Sequence, residues 1–326
     1  MDDLHDAKRE AFRREVDYLN RVLGARILAL LDDPAVTDII RNSDGNLWVT
    51  RAGAGTQCVG TMDTGQAESL IASVAATMSL EARRSSPLVQ GELITDGSRF
   101  QGIMAPCSLS GSFAIRKPAR LVYSLQHYVA QGALSERACA LLEAAILRRR
   151  NILVVGGTGA GKTTFLNALI KAASELTPTH RFLIIEDTRE LQCVAPNKEM
   201  LRTSPPDVTQ QDLLRATLRM FPDRIIVGEV RGPKALDMLE AWNTGHDGGF
   251  GTIHSNITTP RAALTRLEFL VSRATPAPAQ GLIAESVNLI VCVERQAEDR
   301  RAVSQIVAVE GFDGANYRLQ PQDIHA

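Results

Sequence analysis

Residues 151–169, NILVVGGTGAGKTTFLNAL, run from four aliphatic residues into a glycine-rich loop and then into a helical pattern. The loop matches the spacing G-x-x-x-x-G-K-[ST]. Glycines let successive backbone N–H groups turn toward phosphates, a lysine can reach the β- and γ-phosphate oxygens, and a threonine hydroxyl can bind Mg²⁺. The loop therefore predicts a site for ATP and Mg²⁺, formed by Gly157, Thr158, Gly159, Ala160, Gly161, Lys162, Thr163 and Thr164.

Two carboxylates follow the ends of later strand patterns. The pattern RFLIIED carries Glu186, and RIIVGEV carries Glu229 directly after Gly228, where a second nucleotide motif usually has aspartate. Ligands of α/β sheets lie at the carboxyl ends of the strands. We therefore expect Glu229 to orient or deprotonate water and Glu186 to support the water or the metal, with Thr163 as the third magnesium ligand. For either acid taken alone, capping of a loop is the alternative.

Two histidines lie in the segment TGHDGGFGTIHSN. A zinc site would need a further ligand, and none of the right kind is close in sequence. His254 ends a strand pattern, so we expect it to sense the γ-phosphate and to belong to the catalytic set with Lys162, Glu186 and Glu229. His246 is expected to be structural.

The elements that must position these residues change character along the chain. An amphipathic helix is predicted over residues 7–32, with Phe12, Leu19 and Ile27 on its apolar face, and Pro34 ends it. Short strand patterns around one helical stretch follow it. The predicted fold of residues 1–117 is a smaller α+β domain with an antiparallel sheet.

Beyond a weakly patterned linker, residues 118–134, strands and helices alternate. This alternation predicts a mainly parallel sheet covered by helices on both faces over residues 135–326. The predicted strands are NILVV, RFLIIED, RIIVGEV and GFGTIHS, and the strands NLIVCVER, AVSQIVAVEGF and NYRLQ form an antiparallel extension.

Composition limits the class of protein. The 36 lysines and arginines are balanced by 37 aspartates and glutamates, and a nucleic-acid-binding protein usually shows a basic excess. The five cysteines form no CxxC pair, which favours a reducing compartment. The charged amino terminus is unlike a signal peptide, and no apolar run approaches the ~20 residues that span a bilayer. We expect a cytoplasmic protein without direct nucleic-acid binding.

Four motifs follow one another in an order that resembles that of the type II/IV secretion traffic ATPases. They are the loop at 156–163, RFLIIEDTREL, LRMFPDRIIVGEVRG and TGHDGGFGTIHSN. They correspond to that family's Walker A, aspartate, atypical Walker B and histidine boxes. The resemblance covers residues 85–295. It implies a RecA-like P-loop domain, a PAS-like amino-terminal domain, a homohexamer, and peripheral association with inner-membrane secretion components. It also implies phosphate contacts from Arg99, Arg116 and Arg231, for which surface ion pairs are the alternative.

The length of the chain and the segment SFAIRKP indicate the branch of this family to which the chain is most similar. Pilus and type II motors usually carry an extra amino-terminal domain and often a tetracysteine zinc insertion, whereas this chain is similar to the TrbB-like conjugative-transfer ATPases. The resemblance implies an ATP-driven motor for pilus assembly or substrate transfer. The alternatives are a type II or pilus ATPase, a nucleotide-gated scaffold with little turnover, and a motor that acts on nucleic acid.

Overall fold

The computed structural model describes residues 2–51, 54–78, 80–118, 122–204, 207–296 and 300–324, with only the backbone of residues 2–8. The chain divides into two compact units, Met1–Arg120 and Leu121–Ala326. Most of the predicted linker 118–134 belongs to the second unit, because Leu125 and Leu134 are buried in its core. Residues 119–121 of that linker lie outside the described residues.

The first unit is an antiparallel sheet with two helices packed on it. Within the described residues the strand order is β3-β2-β1-β6-β5-β4. Its elements are α1 (Asp2–Asp32), β1 (Val36–Arg41), β2 (Asn46–Arg51), β3 (Gly55–Thr61), α2 (Thr64–Thr77), β4 (Leu88–Glu92), β5 (Arg99–Ile103) and β6 (Ser112–Arg116).

Helix α1 ends where its sequence pattern predicts, but only part of the predicted apolar face is buried. Leu19 and Ile27 are fully buried against α2 and the sheet, whereas Phe12 is 53% exposed. Gly24, with φ of 73°, interrupts the helical backbone. The segment from Leu19 onward therefore carries the packing of α1 in this unit.

The second unit contains the parallel sheet that the sequence predicts. In the described part of the unit the order is β14-β13-β12-β7-β11-β10-β8-β9, with parallel pairing from β12 to β9. The helices are α3 (Leu125–Ala130), α4 (Glu136–Leu147), α5 (Lys162–Leu176), α6 (Gln210–Thr217), α7 (Ala235–Asn243), α8 (Pro260–Ser272) and α9 (Gln280–Ser286). The strands are β7 (Ile152–Gly156), β8 (Phe182–Glu186), β9 (Lys198–Arg202), β10 (Arg224–Val227), β11 (Phe250–His254), β12 (Leu289–Arg295), β13 (Arg301–Phe312) and β14 (Tyr317–Pro321).

Helices cover both faces of this sheet, as the alternation in sequence predicts. Successive side chains of a strand point to opposite faces. On β7, Ile152 and Val154 pack into one core with α4 and α5, while Leu153 and Val155 pack into the other with α7 and α8. A strand buried on both faces needs a continuous aliphatic run, which explains the sequence NILVV. Among the described residues, no helix is long and apolar enough to cross a membrane.

Asn151 joins three elements at the amino end of the parallel strands. Its side-chain oxygen accepts from the backbone amides of Gly248 and Gly249, both at 2.8 Å, and its Nδ2 donates to the carbonyl of Ser286 at 2.7 Å. The residue is 1% exposed. Asn151 therefore ties β7 to the turn before β11 and to the end of α9.

Replacing Asn151 by alanine leaves buried amide and carbonyl groups without partners, so we expect a loss of about 3 kcal/mol in the free energy of unfolding. Urea unfolding followed by circular dichroism measures it. The control is Asn243→Ala, since Asn243 is exposed and its Nδ2 donates to Glu285 at the long distance of 3.4 Å. We expect this control to stay within about 0.5 kcal/mol of the parent. Equal effects of the two substitutions would contradict this account of Asn151.

Candidate nucleotide site

The glycine-rich loop joins β7 to α5 at the carboxyl edge of the parallel sheet. Gly159 and Gly161 have φ of 73° and 90°, which residues with a β-carbon rarely adopt. A β-carbon placed on Gly157 or Gly159 would meet no other atom within 4 Å, so the loop borders open space. Gly156 is different, because its β-carbon would lie 2.5 Å from the carbonyl oxygen of Val293. The loop is thus packed at its base and open at its tip.

The amino terminus of α5 supplies donors for an anion. Its N-cap is Gly161, which offers no side-chain hydrogen bond to the first turn. By contrast, Ser135, Thr209 and Thr259 cap α4, α6 and α8 with their side chains. The first amides of a helix need partners from outside it, and the helix dipole favours a negative charge there. Together with the open loop, this terminus fits phosphate.

Lys162 is the cation at this position. Its Nζ donates to the carbonyl of Gly157 at 2.8 Å, so the side chain folds back along the loop. Burial lowers the pKa of the ammonium, while the carboxylates of Glu229 and Glu190 act in the opposite direction. The predicted lysine and the predicted general base Glu229 are therefore within electrostatic reach of each other.

Glu229 lies two residues beyond the end of β10 on a backbone that β11 holds. The Thr252 hydroxyl donates to the carbonyl of Gly228 at 2.7 Å, and the amide of Val230 donates to the carbonyl of Thr252 at 2.9 Å. The Glu229 carboxylate accepts a hydrogen bond from Arg231, with 32% of the Glu229 side chain exposed. Arg231, which the family resemblance places on phosphate, lies beside Glu229 in this structure.

Glu186 is 5% exposed at the end of β8 and anchors the next loop. Its Oε2 accepts from the amides of Glu190 and Leu191 at 3.0 and 2.9 Å. A β-carbon on Gly228 would lie 3.3 Å from the β-carbon of Glu186, so an aspartate at 228 would crowd a second carboxylate against this one. These two bonds cap the loop after β8, which is the alternative to a catalytic role for Glu186. They also fix the carboxylate at the carboxyl edge.

His254 is paired in register with Gly156 across β11 and β7. Its Nε2 lies 3.0 Å from Oδ1 of Asn256. Because an amide oxygen can only accept, Nε2 is the donor in this contact. The neighbouring amide of Ser255 donates to the carbonyl of Gly156 at 3.2 Å. His254 therefore lies beside the start of the loop, whereas His246 lies before β11, at the opposite edge of the sheet.

The family described as type II/IV secretion system protein matches residues 25–310, most of the chain. The probable conjugal transfer protein TrbB of Sinorhizobium fredii is 42% identical over 311 residues, covering 95% of this chain and 94% of the relative. The type IV secretion system protein PtlH of Bordetella pertussis is 31% identical, covering 85% and 91%. This chain belongs to the type II/IV secretion system protein family.

A solved structure shows the same fold. The pilus retraction motor PilT with bound ADP superposes with a TM-score of 0.61 and 20% identity, covering 90% of this chain and 80% of that one. The RecA-like fold implied by the four sequence boxes is confirmed, as is the family resemblance.

The two predicted arginines of the first unit are cross-strand neighbours. Arg99 on β5 pairs in register with Arg116 on β6, and Arg116 pairs with Asp38 on β1. The Arg116 Nε donates to Asp38 Oδ1 at 2.7 Å. The ion-pair alternative thus applies to Arg116, and its contact with phosphate stays a prediction, as does that of Arg99.

Three residues that form hydrogen bonds with the backbone around the predicted site are absent from the sequence predictions. Asn167 on α5 bonds the backbone of Glu190 and Gln192 at 3.0 and 2.8 Å, and Thr252 holds the backbone around Glu229. Arg301 donates from Nε to the carbonyl of Gly159 at 3.2 Å. An asparagine in a helical pattern gives a weak signal, and an arginine 142 residues from its partner gives none.

Proposed function

We propose that this chain is a Mg²⁺-dependent ATPase that works as a hexameric motor of a type IV, conjugative secretion system. It drives pilus assembly or substrate transfer from the cytoplasmic side of the inner membrane, to whose secretion components it binds peripherally. The observation that carries this function is the open glycine loop between β7 and α5, with Lys162 folded onto the carbonyl of Gly157 and Glu229 following the end of β10. The names of the relatives in conjugal transfer and type IV secretion favour this branch over the type II and pilus motors.

The donors present fit a magnesium nucleotide. The loop amides and the uncapped start of α5 hold the phosphates, and Lys162 reaches the β/γ oxygens. Mg²⁺ usually takes one or two carboxylates together with phosphate oxygens and waters, which suits Thr163 with Glu229 and Glu186. When bound, the metal neutralises charge on the β- and γ-phosphates. Arg231, Arg99 and Arg116 are proposed as further phosphate contacts.

The residues of this chain then divide the chemistry among them. Glu229 orients the attacking water or takes its proton, on a backbone that Thr252 holds in place. Glu186 supports the water or the metal, with its carboxylate fixed by the amides of Glu190 and Leu191. His254, beside Gly156, senses the γ-phosphate and relays its loss.

The test is the Mg²⁺-ATPase rate as a function of protein concentration, with the mass measured at each point. We expect the rate per subunit to rise as a hexamer-sized species forms, and Glu229→Gln to abolish that rise. ADP binding by a monomer without turnover at any concentration would contradict the motor and favour the nucleotide-gated scaffold. Stimulation by DNA with a steep dependence on salt would favour a motor that acts on nucleic acid.

A further inference from the structure

The hairpin formed by β12 and β13 lies against the base of the phosphate loop. Strand β12 is parallel to β7, with Cys292 opposite Val155. The carbonyl of Val293, next along β12, lies where a side chain of Gly156 would be. Strand β13 is held in turn by the bond from the amide of Val303 to the carbonyl of Ala133, at 2.9 Å. Residues 297–299 lie outside the described residues, whereas β12 and β13 are paired up to Arg295 and Arg301.

Arg301, the first residue of β13, extends its side chain along the loop. Its Nε donates to the carbonyl of Gly159 at 3.2 Å, and its Cδ would lie 2.7 Å from a β-carbon on Gly161. Arg301 therefore spans the loop from its tip to the N-cap of α5. Its charge also acts on Tyr128, which packs edge-on against Phe165 in the first turn of α5: burial raises the pKa of the Tyr128 phenol to about 12, and Arg301 opposes that shift.

We propose that Arg301 is a positioning residue for the phosphate loop, an inference that rests on the proposed nucleotide-binding function. A trans peptide unit points its C=O and the following N–H in opposite directions. Because Arg301 holds the carbonyl of Gly159 on its own side of the loop, the amide of Ala160 points to the other side. That amide donates at 3.4 Å to the carbonyl of Gly157, the acceptor that also binds Lys162. Inward amides are what a loop of this kind offers to phosphate.

The inference predicts a specific pattern of affinities. The amides in the middle of the loop contact phosphates that ATP and ADP share, so Arg301→Ala weakens both nucleotides alike. We expect the Kd values for ADP and for a non-hydrolysable ATP analogue each to rise roughly tenfold, since a charge-assisted hydrogen bond to the loop is lost. Arg301→Lys keeps the charge and one donor, so it restores part of the affinity. The melting temperature without nucleotide stays unchanged, while its increase on adding ADP becomes smaller.

Arg318→Ala is the matched control. Arg318 lies on the neighbouring strand β14, also contacts a glycine of positive φ, Gly311, and donates to the backbone carbonyl of Glu310 at 3.1 Å. Arg318→Ala therefore removes an arginine hydrogen bond to a backbone carbonyl, as Arg301→Ala does, but at a position away from the phosphate loop. We expect its nucleotide affinities to match those of the parent protein.

The measurement is fluorescence titration of the full chain with labelled ADP and with the labelled ATP analogue, with Lys162→Ala as reference. Arg301→Ala affinities within twofold of the parent, beside a Lys162→Ala that has lost binding, would overturn this inference and leave the proposed function standing. A loss confined to the ATP analogue would also overturn it, because it would place Arg301 on the γ-phosphate. Undiminished binding by Lys162→Ala would contradict the proposed function instead. Should the alanine variant not fold, Arg301→Lys decides: an affinity for both nucleotides between those of the parent and Lys162→Ala supports the inference, and parental affinity overturns it.

Discussion

Replacing Lys162 by alanine is expected to lower kcat/KM for ATP by at least about 100-fold, the equivalent of two charge-assisted hydrogen bonds to phosphate. The ammonium lies in the loop on the carbonyl of Gly157, and burial lowers its pKa. The unfavourable desolvation of a cation in that position is offset when phosphate oxygens surround it. Steady-state ATPase assays and titration with labelled ADP measure the loss.

The stability of this variant is the second readout. Without nucleotide, the half-buried ammonium offers little to the fold, so Lys162→Ala should unfold at the same denaturant concentration as the parent. Lys171→Ala is the control, because Lys171 lies on the same helix, away from the loop, and its ammonium pairs at 3.6 Å with the exposed Glu175. We expect this control to keep full turnover. Turnover by Lys162→Ala within threefold of the parent would mean that the loop is not the catalytic phosphate site.

The sequence predicts the second unit well where burial alone determines the element. Strands β7, β8 and β10 are buried along their whole length, and each contains the kind of aliphatic run that such burial favours: ILVV in β7, LII in β8 and IIV in β10. Strand β9 is absent from the predicted elements because its residues, KEMLR, are mostly exposed at the sheet edge and pair through their backbones. Helix α8 is also absent, although Thr259 caps it and Pro260 occupies its first turn.

The first unit is less predictable for a related reason. Its sheet is antiparallel and its strands are short, so alternation of apolar and polar residues is the main signal. Strand β3 is largely exposed and carries no such alternation, and it is missing from the predicted elements. Helix α1 shows the opposite error, since Phe12 fits the apolar periodicity but is half exposed.

The parts of the site that depend on local sequence are predictable, and the parts that depend on tertiary contacts are not. The glycine loop is a contiguous segment whose backbone conformation follows from its residue types, and Gly159 and Gly161 adopt it. Thr252 and Arg301 act on the site only through the pairing of β11 and the return of the β12–β13 hairpin. Such contacts follow from strand order and register, which a single sequence does not specify.

Glu229→Gln is expected to separate binding from turnover. The glutamine keeps the size of the side chain and one acceptor oxygen, but it cannot take a proton from water or carry the negative charge that pairs with Arg231. Because general-base catalysis typically contributes 10²–10⁴-fold, we expect kcat to fall about 100- to 1,000-fold while the Kd for ATP stays within about threefold. Single-turnover hydrolysis and labelled-nucleotide titration give the two quantities separately.

The surroundings of Glu229 make this separation a sharp test. Its partner Arg231 is 63% exposed, so loss of the ion pair costs the fold little. The Glu229 carboxylate opposes the lowering of the Lys162 pKa by burial, so in the variant that pKa falls further and the decline of ATP affinity with rising pH begins at a lower pH. Glu240→Gln, an exposed carboxylate on α7, should change neither kcat nor Kd. Full turnover by Glu229→Gln would assign the water-activating role to another carboxylate, and Glu186, whose Oε2 already accepts two backbone amides, would then have to act through its other oxygen.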